Sequence, residues 1–302
     1  MSGDRMGRDQ FAGCVRTATV ALDGFIRTGL LIRISTAQFR IEETIGSGKN
    51  MEVRTMAATR SNTKIAINCD MGESFGLYKM GDDEGLMPHI TIANVACGFH
   101  ASDPSVMAKT VRLAKQHNVK VGAHPSLPDL QGFGRREMKM RPEELTDCIV
   151  YQVGALKAFL EREDMQLYHI KPHGSLYGMA ARLEEVAKAV ADAAKVFNVP
   201  LMGMVGTLHE RVYTAAGIGF ISEYYADLDY DDQGMVIITR EHHAFDPKRA
   251  AERALRAVKE GVAVSVSGKE VQVRADCICV HSDTPNAVEL AQTVKTAVAD
   301  YL

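Results

Sequence analysis

From Lys64 onward the chain alternates short apolar, Val- and Ile-rich segments with longer amphipathic ones, and this alternation limits its possible folds most. "KIAIN" (64–68), "ITIANVAC" (90–97), "VKVGAH" (119–124), "LYHIKPHG" (167–174), "VPLMGMVG" (199–206), "GFISEYYAD" (219–227) and "DCICVHSD" (276–283) read as strands. Helices are expected from Pro104, Pro142, Thr207, Pro247 and Pro285, with an Ala-rich one near 181–197. Proline's fixed φ suits a first helical turn, and Ser102 or Asp103 is the expected N-cap ahead of Pro104. The segment 231–240 reads as hairpin-like. Apolar strands separated by helices form a parallel sheet covered on both faces. Seven or eight such units in roughly 240 residues predict an α/β fold of the (β/α) TIM-like barrel type, in preference to an open doubly wound sheet.

Five of these strands end in polar residues: Asn68 and Asp70, His100 and Asp103, His124, Lys171 and His173, and His281 and Asp283. In parallel α/β folds the carboxyl ends of the strands share one face, where such folds place their chemistry. His169, Lys171 and His173 alternate, so an extended backbone turns them to one side. A lysine inside an apolar barrel is costly unless paired, which favours a functional role for Lys171.

Two chemistries fit this cluster. His100, His124 and Asp70 suit a divalent metal that keeps open positions for water. The same residues also suit metal-free catalysis, with Asp70 or a histidine as general base and Lys171 stabilising an oxyanion. No ligand pair stands at a diagnostic spacing such as HExxH. In "PDLQGFGRRE" (128–137), Arg135 or Arg136 can clamp a substrate carboxylate, or can answer Glu137 and Asp129 as surface charges.

Composition excludes other classes. Of 302 residues, 24% are charged, and the net charge of −3 gives no reason to expect nucleic acid or an anionic membrane as partner. No apolar run approaches the ~18 residues of a membrane span. The six cysteines form no CxxC pair and read as reduced thiols, which together with the lack of a secretory signal points to the cytoplasm. Residues 1–60 carry nine Lys/Arg against six acids, so this section is positive while the remainder is negative. Residues 1–62 read as a poorly ordered extension or a mis-assigned start, with Met51 or Met56 as the true one, and 63–302 as a single β/α-barrel catalytic domain. "IGSGKN" (45–50) is no phosphate-binding loop, because Glu43 stands where the first glycine belongs and Asn50 replaces Ser/Thr. His242 and His243 lie in a polar connection and read as surface.

Taken together, "INCDMGESFG" (67–76), "GDDEGLMPHITIANVACGFHASDPSVM" (81–107), "VGAHPSLPDLQGFGRREM" (121–138), "YQVGAL" (151–156), "HIKPHGSLY" (169–177) and "VHSD" (280–283) resemble the LamB/YcsF family, described as the A subunit of the ATP-hydrolysing 5-oxoprolinase. The resemblance covers about 64–300. It implies a barrel similar to those of polysaccharide deacetylases and cleavage of the 5-oxoproline (pyroglutamate) lactam to L-glutamate, coupled to ATP hydrolysis. It also implies partner subunits B and C; with no recognisable phosphate loop here, ATP is handled either on a partner or by an unrecognised site of this chain. Family motifs map onto Asp70, Glu73, His100, Asp103, His124, Lys171 and His173. Catalytic roles are expected for Asp70, His100, His124, Lys171 and His173, with Asp70 or His100 as base and Lys171 and His173 stabilising negative charge. Substrate contacts are expected from Asn68, Glu73, Asp103, Arg135, Arg136, His281 and Asp283. The chain departs from the family pattern at Leu228, where an Arg is expected, and at Ser102, where a Gly is expected. Two alternatives stand beside this expectation: a stand-alone metal-dependent deacetylase or amidohydrolase, and a lactam-binding regulatory subunit.

Overall fold

The computed structural model describes residues 64–237 and 243–302. The expectations for residues 1–62 therefore lie outside the described residues, as do those for His242 and the end of the hairpin-like segment. The chain begins β1 (Ala66–Met71), α1 (Asp83–Leu86), β2 (Ile92–Ala96), α2 (Pro104–Gln116), β3 (Lys120–His124), α3 (Pro142–Arg162) and β4 (Leu167–Ile170). Two helices, α4 (Gly174–Arg182) and α5 (Glu184–Phe197), separate β4 from β5 (Leu201–Gly203). Then come α6 (Leu208–Ala215), β6 (Phe220–Tyr225), α7 (Pro247–Glu260), β7 (Val262–Val264), β8 (Glu270–Gln272), β9 (Cys277–Val280) and α8 (Ala287–Ala297).

Seven parallel strands close a barrel in the order β1-β2-β3-β4-β5-β6-β9, with β9 pairing β1 as well as β6. The antiparallel pair β7–β8 stands apart as a small hairpin. The barrel fold is thus as expected, with seven strands of the seven or eight. Proline opens α2, α3 and α7 at their first turns, whereas α8 starts at Ala287, two residues beyond Pro285. The Ala-rich helix expected near 181–197 is α5, and a further helix, α4, precedes it, separated by the extended Leu183. The helices pack Ala, Leu and Val against the outside of the sheet, which explains why the strands are apolar on both faces.

The barrel interior is layered. Ile92, Met202 and Cys277 pack together as an apolar cluster separate from the main core. Next come Asn68, Asn94 and His169, all fully buried and mutually hydrogen-bonded. Gly122 on β3 makes room for them, since a Cβ there would overlap the His169 ring. Period-two alternation along β1 and β4 then brings Asp70 and Lys171 into the following layer. Among the described residues no helix is long and apolar enough to cross a membrane, and the five described cysteines are free thiols.

Candidate active site at the mouth of the barrel

At the carboxyl ends of the strands the interior becomes charged. Lys171, 2% exposed, is held by two carboxylates at equal distance, Asp70 Oδ1 and Glu223 Oε1, each 2.9 Å from its Nζ. Burial alone would lower the lysine's pKa, but Asp70 and Glu223 outweigh it and hold the ammonium form well above the ordinary range. Asp70 is likewise pushed up by burial, yet His124 and Lys171 hold it well below the usual carboxylate range. Asn94 donates to Asp70 Oδ1 at 2.8 Å from the layer below. Tyr225 steadies Glu223 through a 2.8 Å hydrogen bond from its hydroxyl to Oε2.

Beside this charge cluster, Glu73, His100, His124 and His173 converge, with one donor atom from each lying within 4.8 Å of the others. The backbone fixes two of the rings. His124 Nδ1 donates to the Lys171 carbonyl at 2.7 Å, and His173 Nε2 donates to the Phe133 carbonyl at 2.8 Å. The loop that presents this second carbonyl runs through two consecutive residues in the left-handed region, Phe133 (φ +54°) and Gly134 (φ +63°). A phenylalanine there is strained, so the carbonyl's placement is held against a local cost. The rings' inward nitrogens, His124 Nε2 and His173 Nδ1, then lie 3.0 Å apart. Burial and the neighbouring imidazoles His100 and His124 push the pKa of His173 well down, so its inward nitrogen carries a lone pair.

His100 stacks on His173, with ring centroids 3.7 Å apart and planes 7° from parallel, and meets Glu73 Oε1 through Nε2 at 3.1 Å. Burial, followed by the Asp70 and Asp283 charges, pushes the Glu73 carboxyl well up. Ser282 donates to its Oε2 at 3.2 Å.

On the far wall, both oxygens of Asp227 accept from His281, one from Nδ1 at 3.0 Å and one from the backbone N–H at 2.9 Å. Burial lowers the His281 pKa, but Asp227 more than offsets this and raises it above the ordinary value. The cavity above Lys171 is lined by His281, Arg135, Tyr177, Tyr225 and Leu228. Arg135 pairs with Asp283 at 2.7 Å.

The structure thus brings Asp70, His124, Lys171, His173, Arg135 and His281 to one cavity, with Glu73, His100 and Asp283 in contact with these residues. Three expected substrate contacts are corrected. Asp103 caps α2 through Oδ1 and holds the Gly76 N–H through Oδ2, so both its oxygens are engaged. Arg136 turns outward, about half exposed, and clasps Asp129. Asn68 lies in the layer beneath, donating to Cys277 Sγ at 2.8 Å and accepting from Asn94 at 2.7 Å. Sequence reasoning missed Glu223, Asp227 and Asn94. An acid inside the apolar run "FISEYY" was the available signal for Glu223, since an unpaired charge does not belong there.

The sequence profile of the LamB/YcsF family matches residues 65–301. The lactam utilization protein lamB of Emericella nidulans is 47% identical over 242 residues, covering 79% of this chain and 95% of that protein. The A subunit of 5-oxoprolinase from Thermus thermophilus is 45% identical over 239 residues, covering 78% and 96%. The crystal structure of the lactam utilization protein from Thermus thermophilus superposes with a TM-score of 0.73 at 44% identity, covering 79% of this chain and 97% of that one.

Proposed function

Because the chain belongs to the LamB/YcsF family, we propose that its barrel, spanning 63–302, is the hydrolytic subunit of a cytoplasmic, ATP-dependent 5-oxoprolinase that opens 5-oxoproline to L-glutamate. The observation that carries this reading is a guanidinium, Arg135, sharing one cavity with the buried ammonium of Lys171. The first suits the ring's carboxylate and the second the oxygen of the carbonyl under attack. A five-membered lactam is a stable amide, so its opening near neutral pH is eased when the carbonyl is first activated, for example through phosphorylation by ATP. No recognisable phosphate-binding loop occurs in the sequence, so in this proposal ATP is handled by partner subunits B and C. Water is then directed onto the activated carbon here.

Asp70, held as an anion, keeps Lys171 charged and oriented. His281, backed by Asp227, lines the same cavity and would serve as the proton donor to the leaving ring nitrogen. The carboxylate that pairs with Arg135 in the free protein, Asp283, is the one a substrate carboxylate would displace.

The test is glutamate release from 5-oxoproline and ATP by this chain alone, by the B and C partners alone, and by the mixture. Activity confined to the mixture and lost with Lys171→Ala supports the division of labour; full ATP-dependent activity of the isolated chain sinks it. A second reading, a stand-alone metal-dependent amidohydrolase, is favoured by the histidine cluster. It predicts ATP-independent turnover by this chain that a chelator abolishes.

A further inference from the structure

The two ring nitrogens that face each other at 3.0 Å, His124 Nε2 and His173 Nδ1, both have their outer nitrogens tied to backbone carbonyls. A neutral imidazole has one donor nitrogen and one acceptor nitrogen. Each ring spends its donor on a carbonyl, so two lone pairs confront each other in a buried space. Glu73 Oε1 adds a third electron pair, 3.6 Å from His173 Nδ1, and Asp70 Oδ2 a fourth, 3.2 Å from His124 Nε2. Such an arrangement is stable only around a positive charge.

We propose that His124 Nε2, His173 Nδ1 and Glu73 Oε1 bind one divalent transition-metal ion, with zinc as the ion the donor set fits. Neighbouring ligand atoms of a tetrahedral zinc with bonds of 2.0–2.1 Å stand about 3.4 Å apart, and the two measured separations, 3.0 and 3.6 Å, bracket that spacing. Two imidazoles and one carboxylate leave positions open for water, as in catalytic zinc centres. Charge agrees. Three buried carboxylates, Asp70, Glu73 and Glu223, gather here, and the ammonium of Lys171 pairs directly with two of them. Arg135 and Asp283 answer each other, as do His281 and Asp227.

The same geometry excludes His100 as a ligand in this conformation. Its ring lies nearly parallel on His173, so an ion held in the plane of one ring is out of the plane of the other. His100 instead donates from Nε2 to Glu73 Oε1 while Ser282 donates to Oε2, which makes both of them positioning residues for the carboxylate ligand. Histidine cannot be read as ligand or orienter from sequence, and here the stacking angle decides between the two.

The inference does not rest on lactam hydrolysis, and its readout is binding. The full chain is stripped with a chelator, dialysed, and titrated with Zn2+ by calorimetry and with Co2+ by visible absorption. One ion per chain with intense tetrahedral or five-coordinate cobalt bands is expected. His124→Gln, His173→Gln and Glu73→Gln, each checked for folding by circular dichroism, should abolish the bands. His100→Ala should keep them with an affinity reduced about 10- to 100-fold, the usual cost of losing an outer partner. Absence of stoichiometric binding by the folded wild-type chain overturns the proposal in favour of a proton shared between His124 and His173. Loss of the bands in His100→Ala with retention in any of the other three overturns the ligand assignment.

Discussion

Replacing Lys171 with methionine tests the electrostatic centre of the barrel. The substitution keeps most of the side chain's volume and removes only the charge. Asp70 Oδ1 and Glu223 Oε1 each lie 2.9 Å from Nζ, so they are neighbours across the lysine. At no more than about 5.8 Å, two carboxylates repel by roughly 3 kcal/mol at an effective dielectric of about 20. Breaking a buried pair by removing one partner costs about 3–5 kcal/mol, so Lys171→Met should destabilise the metal-free chain by that amount at pH 7. Glu223→Gln leaves the Lys171–Asp70 pair intact and should cost far less. In the double variant the repulsion is gone, so it should be more stable than Lys171→Met alone, the signature of coupled neighbours. The pH dependence has a definite sign. Asp70 has a depressed folded pKa, so its contribution is present above the unfolded carboxylate pKa and is lost as pH falls through the folded value. Without Lys171 the Asp70 carboxyl loses a charge that holds it down, so the deficit should narrow between pH 7 and pH 4. Urea unfolding followed by circular dichroism at both pH values reads all of this. A cost below about 1 kcal/mol for Lys171→Met, or a double variant weaker than the single, would refute the view that the lysine compensates two charges.

Other expectations concern single positions. Ser102 holds φ +76°, a left-handed conformation that glycine adopts without strain, so Ser102→Gly should stabilise the chain by about 0.5–1 kcal/mol, seen as a higher thermal midpoint. In the assembled enzyme, Arg135→Ala should raise KM for 5-oxoproline by about 10- to 100-fold, the equivalent of a charged hydrogen bond, and leave 2-pyrrolidinone unaffected. Arg136→Ala should change neither; equal effects from both would remove the carboxylate clamp. Asp227→Asn should cost most stability below the unfolded histidine pKa of about 6.5. That cost should fade as pH rises through the folded value, because His281 is raised by its carboxylate and contributes while protonated. Unfolding measured at pH 5.5 and pH 9 checks the direction, and a larger deficit at pH 9 would contradict it.

The barrel and the shared face of Asp70, His124, Lys171 and His281 were visible in the sequence because period-two alternation and strand ends are local properties. What needed the structure was direction. Arg135 and Arg136 are adjacent and chemically alike; the left-handed pair Phe133 and Gly134 turns the chain so that one enters the cavity and the other meets Asp129. Asp103 looked like part of the cluster, but it begins a helix, and the N–H groups of Ser105 and Val106 claim its carboxylate. The hairpin β7–β8 escaped notice because its three-residue strands are too short to show a period. Ser102 shows the converse case. Its departure from the glycine of the family pattern is mild in sequence but sits at a backbone position where L-residues are strained. Leu228, the other departure, forms part of the cavity wall, so an arginine at this position would bring a further cation to the mouth.

The closure of the barrel by its last strand has a consequence for how the chain acquires its site. β9 inserts between β6 and β1, and Ser282 just beyond it reaches Glu73 across 209 residues of sequence. Contacts of such separation form late, since loop-closure entropy opposes them until most of the fold exists. Until residues 277–280 dock, β1 and β6 present open edges, and the charges gathered around Lys171 line a half-built trough instead of a sealed interior. Open parallel edges are where chains misassociate, so a chain trimmed ahead of β9 should aggregate instead of persisting as a weakened enzyme. The pocket and the closed barrel are therefore completed by the same step.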